Sequence, residues 1–195
     1  MHTMKRTTQQ SILVVAIIVM AVVLDQWTKI YIRTHFQLGE AHAVTSWFYI
    51  CFVENNGMAF GIEWFSKLLL TLFRIAAVGA LGYYLHLLIR RTNSSLVAEQ
   101  QLLHPWGYLT MVSLVTAGAI GNIIDCVAYG KIFGYGDWFY GKVVDMLYFP
   151  LIHNAAGECI FFRPVFNIAD SCITVAVIAI LLFFRQDLDR SLKGV

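Results

Sequence analysis

The chain has 195 residues, of which 58% are hydrophobic and only 13% charged, with a formal net charge of +2 and a mean hydropathy of +0.66. A water-soluble domain carries roughly a quarter of its residues as charges, so this composition excludes an ordinary soluble domain and makes lipid the expected solvent. The small positive balance and the lack of a dense basic run exclude a nucleic-acid partner.

In chain order, four apolar stretches qualify as membrane-spanning helices: about 11–32, 68–89, 106–124 and 168–184. Each reaches or approaches the roughly 20 residues needed to cross about 30 Å of hydrocarbon. Lys5 and Arg6 before the first stretch are the flank of a secretory signal. However, Asp25-Gln26-Trp27 follows the run in place of a small-x-small cleavage site, and apolar character resumes at Ile30. A retained first helix is the expectation. Lys5/Arg6, Arg90/Arg91 and Arg185/Arg190/Lys193 all fall on one side, which by the positive-inside rule is cytoplasmic and puts both termini there.

Two outward segments remain, about 35–66 and 128–166. Residues 44–53, rich in aromatic and β-branched side chains, predict a strand or hairpin. The expected fold is therefore membrane all-α, one domain over 1–195, with four transmembrane helices and a small periplasmic β element. The four cysteines show no CxxC or zinc spacing and read as apolar residues, although Cys51 and Cys159 could meet in an outward loop.

On this topology Asp25 lies about 21 Å up the first helix, Asp125 follows the third, and Asp170 opens the fourth with about 21 Å of apolar helix below it. Three carboxylates from three helices thus collect in the outer third of the bilayer. An ionised side chain there costs at least about 3 kcal/mol, so each calls for a partner or a function. Lys29 shares a helical face with Asp25, and a structural ion pair and a functional role both stand as readings. Arg74 reads as a partner for a carboxylate or a loop carbonyl. Asp125 and Asp170 have no base three or four positions away on their own helices. Two carboxyls in contact share a proton and leave one acid and one base, the arrangement that activates water against a peptide carbonyl. Structural capping and ion conduction remain as alternatives.

Other hydrolytic patterns are absent: no HExxH, no GxSxG, and six scattered histidines. Gly134-Tyr135-Gly136-Asp137 spells GxGD, but its place in an aromatic outward loop makes it a glycine-rich turn. An ion-coupled transporter would need charges or breaks deeper in the bilayer and repeated halves, neither of which the sequence has. A non-catalytic assembly factor would use the acids only to pair Lys29 and Arg74.

Five segments, in order, resemble bacterial lipoprotein signal peptidase. Asp25-Gln26-Trp27-Thr28-Lys29 is similar to the family's D-x-x-S/T-K. Asn55-Asn56-Gly57-Met58-Ala59-Phe60-Gly61 is similar to N-x-G-A-A-F-S/G, and Gly121-Asn122-Ile123-Ile124-Asp125 to G-N-x-x-D. Val143-Val144-Asp145 resembles V-V-D-F, and Phe166-Asn167-Ile168-Ala169-Asp170 reproduces F-N-x-A-D. The resemblance implies an aspartyl endopeptidase of the bacterial inner membrane that cuts diacylglyceryl-modified prolipoproteins just before the lipidated cysteine. It implies Asp125 and Asp170 as the catalytic pair, with Asn55, Gly57, Asn122, Asp145 and Asn167 lining or bracing the site and Asp25 and Lys29 supporting it. Prolipoprotein and membrane lipid are the implied partners of a monomer, with no metal or organic cofactor. Three positions depart from the pattern. Cys126 stands where the family carries arginine, Met146 where it carries an aromatic, and Met58 where it carries a small residue. Residues 147–162 form an apolar insert, expected as an interfacial lid or a packing loop.

Overall fold

The computed structural model describes residues 2–56, 67–92, 101–153, 159–161 and 164–193. Gly57, Met58 and part of the insert lie outside them. Helix α1 (His2–His35) runs unbroken through Asp25, about 51 Å long. It is longer at both ends than the apolar run because polar flanks can continue a helix in water. A short strand β1 (Ala41–Ala43) and strand β2 (Tyr49–Asn55) follow, then α2 (Lys67–Thr92) and α3 (Pro105–Ile124). The α3 axis continues as a π-helical turn, Asp125–Tyr129, and a last turn α4 (Gly130–Ile132).

Strand β3 (Val143–Tyr148), the small hairpin β4 (Ile152–His153) and β5 (Cys159–Phe161), and β6 (Val165–Phe166) lead into α5 (Ile168–Phe183) and α6 (Arg185–Leu192). The order β1-β2-β3-β6 forms one antiparallel sheet, with an irregularity in β2 between Ile50 and Val53. The strand or hairpin expected over 44–53 is a hairpin that begins earlier: Ala41 pairs with Cys51 and Ala43 with Tyr49 around a turn. Within the insert, β4 and β5 pair with each other and stay apart from the larger sheet.

Among the described residues, α1, α2 and α3 are long and apolar enough to span a membrane. The fourth stretch is different. Its sixteen residues in α5 rise about 24 Å, and the chain then bends by 87° into α6. The sequence explains the bend, since Arg185-Gln186-Asp187 cannot continue into hydrocarbon and turns along the surface instead. Burial is inverted relative to a soluble protein. Val15, Met20 and Val23 on α1, Phe73 on α2 and Leu182 and Phe183 on α5 are exposed, whereas Asp25, Lys29, Ser113, Thr116, Asp125 and Asn167 are buried. α3 is the central helix, packed by α1, α2 and α5. Gly118 permits the close approach of α5, because a Cβ there would lie 2.3 Å from the Ala169 carbonyl.

Two apolar clusters mark the ends. One joins Val14, Leu85, Leu88, Tyr108, Leu109 and Val112. The other joins Ile32, Phe52, Tyr129, Val144 and Met146 beneath the sheet. The polar site lies at the sheet end.

Candidate active site

Each site residue is delivered by the local rule its sequence dictates. Asn167 is the N-cap of α5: its side chain accepts from the Asp170 N–H at 2.9 Å, and the Asp170 carboxylate accepts from the Asn167 N–H at 3.3 Å. The F-N-x-A-D segment is therefore a reciprocal capping box, with aspartate in the place usually held by glutamate. Asp145 lies on β3, opposite Val53 of β2. Asp125 opens the π-helical turn, and Asp25 and Lys29 stand one turn apart on α1. Gly121 lets Asp25 in: a Cβ there would lie 2.5 Å from its Oδ2.

The side chains form two linked layers. In the deeper one, the fully buried Lys29 ammonium lies 2.8 Å from Asp25 Oδ2, 2.8 Å from Asp125 Oδ2 and 2.9 Å from Asn122 Oδ1. Gln26 donates to Asp125 Oδ1 at 2.9 Å and to Asp25 Oδ2 at 3.1 Å, and accepts from the Tyr129 hydroxyl at 3.0 Å. The Val144 N–H reaches Asp125 Oδ2 at 3.4 Å, and the Ala169 N–H reaches Asp25 Oδ1 at 2.9 Å. One lysine and two aspartates thus tie α1 to α3, β3 and α5.

The outer layer holds Asp145 and Asp170. Asn167 Nδ2 donates to Asp145 Oδ1 at 2.7 Å, and Asn55 Nδ2 to Asp145 Oδ2 at 3.2 Å. Asn122 Nδ2 donates to Asp170 Oδ1 at 2.8 Å. The Asn122 carbonyl oxygen is held by Lys29 and by Asn167. Because an ammonium only donates, the Asn122 amide must turn its NH2 toward Asp170. Asp145 is almost wholly buried while Asp170 is half-buried. Burial, then the charge of Asp170, pushes the Asp145 carboxyl up to about 7.

The expected pairing of Asp125 with Asp170 is therefore not the one the geometry makes. Among the described contacts, Asp125 meets Lys29, Gln26 and Val144, and none joins it to Asp170. Its neutralising base comes from α1, beyond the reach of a search along its own helix. The carboxyl that shares Asn167 with Asp170 is Asp145. Asn55, Asn122 and Asn167 gather around that pair, and the Asp25–Lys29 ion pair forms beneath it. Gln26 and Tyr129 complete the network without having been singled out. Gln26 occupies a free position of its motif, and its only signal was its place beside Asp25.

Elsewhere, Arg74 Nη1 donates to the Cys126 thiol at 3.1 Å. Gly134 has a φ of 70°, the left-handed conformation of a glycine turn, and the Asp137 side chain beyond it is 84% exposed. Cys51 and Cys159 are not joined in a disulfide; the Cys51 thiol donates to the Met146 carbonyl at 3.7 Å, and burial pushes it up to about 11.

Carboxyls held by amides at one end of a bundle of membrane helices define an intramembrane acid–base hydrolase. The model of signal peptidase (SPase) II matches residues 17–185. The lipoprotein signal peptidase of Porphyromonas gingivalis is 43% identical, over 95% of this chain and 88% of that protein. That of Amoebophilus asiaticus is 36% identical, over 91% and 79%. A bacterial membrane enzyme solved by the in meso method at 2.3 Å resolution superposes with a TM-score of 0.64 at 29% identity, covering 90% of this chain and 88% of its own. The chain belongs to the signal peptidase II family, and is a membrane aspartic peptidase that removes signal peptides from prolipoproteins.

Proposed function

We propose that Asp145 and Asp170 are the catalytic pair, and that the substrate is a prolipoprotein already carrying diacylglycerol, cut just before its lipidated cysteine. The observation that carries this reading is Asn167, whose amide holds Asp145 while its backbone and side chain cap Asp170. Asp170, the more accessible carboxyl, takes a proton from the attacking water. Asp145, held protonated by its burial, donates to the carbonyl oxygen; as the resulting gem-diol collapses, Asp170 passes the proton taken from water to the leaving amine and Asp145 recovers its own from a hydroxyl. Asn55, Asn122 and Asn167 hold the two carboxyls, and Lys29 with Asp25 and Asp125 holds the floor beneath them. No metal enters the scheme.

The setting is part of the same proposal. The enzyme is a monomer of the bacterial inner membrane with four spans, α5 with α6 forming the fourth, and both termini cytoplasmic. The C-terminal end of α2, the start of α3 and α6 meet at one end, where the basic flanks also fall. The site is then at the outer face, where lipid and peptide meet. A groove of about 360 Å³ lined by Trp27, Tyr31, Ile50, Met146 and Ile168 runs beside it.

The test is a gel-shift assay of the purified protein on a diacylglyceryl-modified prolipoprotein. Asp145→Asn and Asp170→Asn are expected to lower turnover by about 10²–10⁴, with Asp125→Asn retaining measurable cleavage where it stays folded. Wild-type turnover in Asp145→Asn, or an Asp125→Asn variant that is folded yet as dead as Asp170→Asn, returns Asp125 to the pair.

A further inference from the structure

A charged cluster at the sheet end lies beside the site without belonging to either of its layers. The Glu54 carboxylate, on β2, is 2.6 Å from the Arg33 guanidinium of α1 and 2.7 Å from the Lys142 ammonium, just ahead of β3. Arg33 stands in the last turn of α1 among three rings. Its guanidinium carbon is 4.4 Å from the centroid of Tyr135, 4.5 Å from that of Phe133 and 5.8 Å from that of Phe52. The Lys142 N–H donates to the Tyr135 hydroxyl at 2.8 Å. The Arg33 and Glu54 side chains are only 13% and 11% exposed. Burial raises the Glu54 carboxyl, but its two cations outweigh burial and hold it below the ordinary carboxylate range. A near-buried anion fixed by cations from two other segments is a joint between elements, unlike a solvated surface pair.

The joint sits where the sheet has little else to set its pairing. Between Ile50 and Val53 the register of β2 on β3 shifts, three steps along β2 matching two along β3. Beyond the shift, among the described residues, three pairs remain: Val53 with Asp145, Glu54 with Val144 and Asn55 with Val143. Those three residues of β2 are exposed or half-buried. No buried apolar side chain of that stretch of β2 therefore pins its register, and a slip of one residue would turn every side chain to the other face. Asn55 nevertheless has to meet Asp145, whose Oδ2 accepts from its amide at 3.2 Å. Glu54 precedes Asn55, and Lys142 stands three residues ahead of Asp145. Their ion pair bridges the two strands at the point where the amide and the acid come together.

We propose that Glu54, held by Arg33 and Lys142, is a positioning residue for the cleavage reaction: it sets the register of β2 on β3 and so keeps the Asn55 amide on Asp145. The assignment rests on the reading of Asp145 as the acid. Burial and the charge of Asp170 raise the Asp145 carboxyl, and the Asn55 bond opposes them. The other charge acting on Asp145 is Lys29 on α1, and the Cys51 thiol of β2 also lies close by; none of these groups belongs to the joint. Loss of register therefore leaves a mark that a general loosening of the fold does not. Without the amide, Asp145 binds its proton more tightly, and the alkaline limb of kcat/KM moves to higher pH. Glu54 itself stays ionised across that range.

The test is steady-state cleavage of the same lipid-modified substrate as a function of pH, with thermal unfolding in detergent as the control for folding. Glu54→Gln is expected to lower kcat about tenfold, as a misplaced reacting group does, with KM changed by less than about twofold. Its alkaline limb should move up by about 0.4–1 pH unit, the worth of one amide hydrogen bond. Asn55→Ala should show the same shift. Adding Glu54→Gln to Asn55→Ala should then lower kcat by less than about a further twofold, because both act on one bond. Wild-type kcat or an unmoved limb in Glu54→Gln, or effects of the two substitutions that multiply, overturns the inference. Where Glu54→Gln does not fold, Lys142→Met breaks one arm of the joint and takes its place, with the same expectations and the same overturning results. A folded Asp145→Asn variant with wild-type turnover defeats the reading of Asp145 and this inference with it. An inactive Asp145→Asn beside an indifferent Glu54→Gln defeats only the inference.

Discussion

The molecule buries carboxylates at both ends, and the two ends treat them differently. At the end opposite the sheet, Asp187 of α6 is buried and accepts the backbone N–H groups of Leu103 and His104, at 2.6 and 3.0 Å, just ahead of α3. The His104 ring lies 3.1 Å from its other oxygen, and Tyr84, Tyr108 and Ser191 form a hydroxyl cluster alongside. Those donors are fixed by the backbone, and the arrangement is a helix cap. At the sheet end, Asp125 is likewise committed, to a lysine. Asp145 is not: its hydrogen-bond partners are two neutral amides, and the charge of Asp170 acts on it more strongly than that of Lys29. A buried acid bonded to cations or backbone donors holds the fold, whereas one bonded to amides beside a second acid is suited to keep a proton.

The largest way to break this comparison is to remove the cation from the deeper layer. Lys29→Met leaves Asp25 and Asp125 buried without their ammonium, and stripping one partner from such a cluster costs about 3–5 kcal/mol. Thermal unfolding in detergent should show a large drop in Tm; a Tm near wild type would mean that Lys29 is not what neutralises those acids.

A second, intermediate effect concerns the proton itself. The Asp145 carboxyl is raised from its ordinary range to about 7, so it binds its proton more tightly folded than unfolded. Its protonated form is full below about 6 and lost as pH rises through about 7, and each further unit lowers kcat/KM about tenfold. By the same linkage this group's contribution to stability falls with rising pH across the interval from about 4 to 7. A flat kcat/KM between pH 6 and 9 would strip Asp145 of its role as the acid.

The smallest effect is expected at the other end. Asp187→Asn keeps the cap's shape and weakens its charge-assisted bonds by about 1 kcal/mol, lowering Tm slightly and leaving kcat unchanged. A marked loss of turnover there would show the two ends to be coupled.

Much of the architecture was legible in the residues, because uninterrupted apolar runs have few alternatives. Stretches 11–32, 68–89 and 106–124 lie within α1, α2 and α3, and 168–184 overruns α5 by one residue. The charges that begin at Arg185 marked the end of the fourth stretch, but the bend into α6 was not read from them. The site was legible in part. Asp170 was found from its depth, and Asn167 from its motif. Asp125 was read as the partner of Asp170, where we propose Asp145, for two physical reasons. Depth along a helix says nothing about an acid on a strand, and the base that pairs with Asp125 comes from a helix almost a hundred residues earlier. Pairings across helices become visible only when the helices are packed. The same blindness hid the contact of Arg74 with Cys126.

Asn167 caps a helix and spaces two acids with one side chain. The two duties cannot be separated by substitution: any replacement that alters the amide facing Asp145 also loosens the first turn of α5, at a cost of about 1 kcal/mol for the lost cap alone. An inhibitor that hydrogen-bonds to Asn167 would therefore grip a group that a resistant strain could not readily exchange, whereas one that leans on the apolar wall of Met146 and Ile168 would meet residues that other hydrophobes can replace.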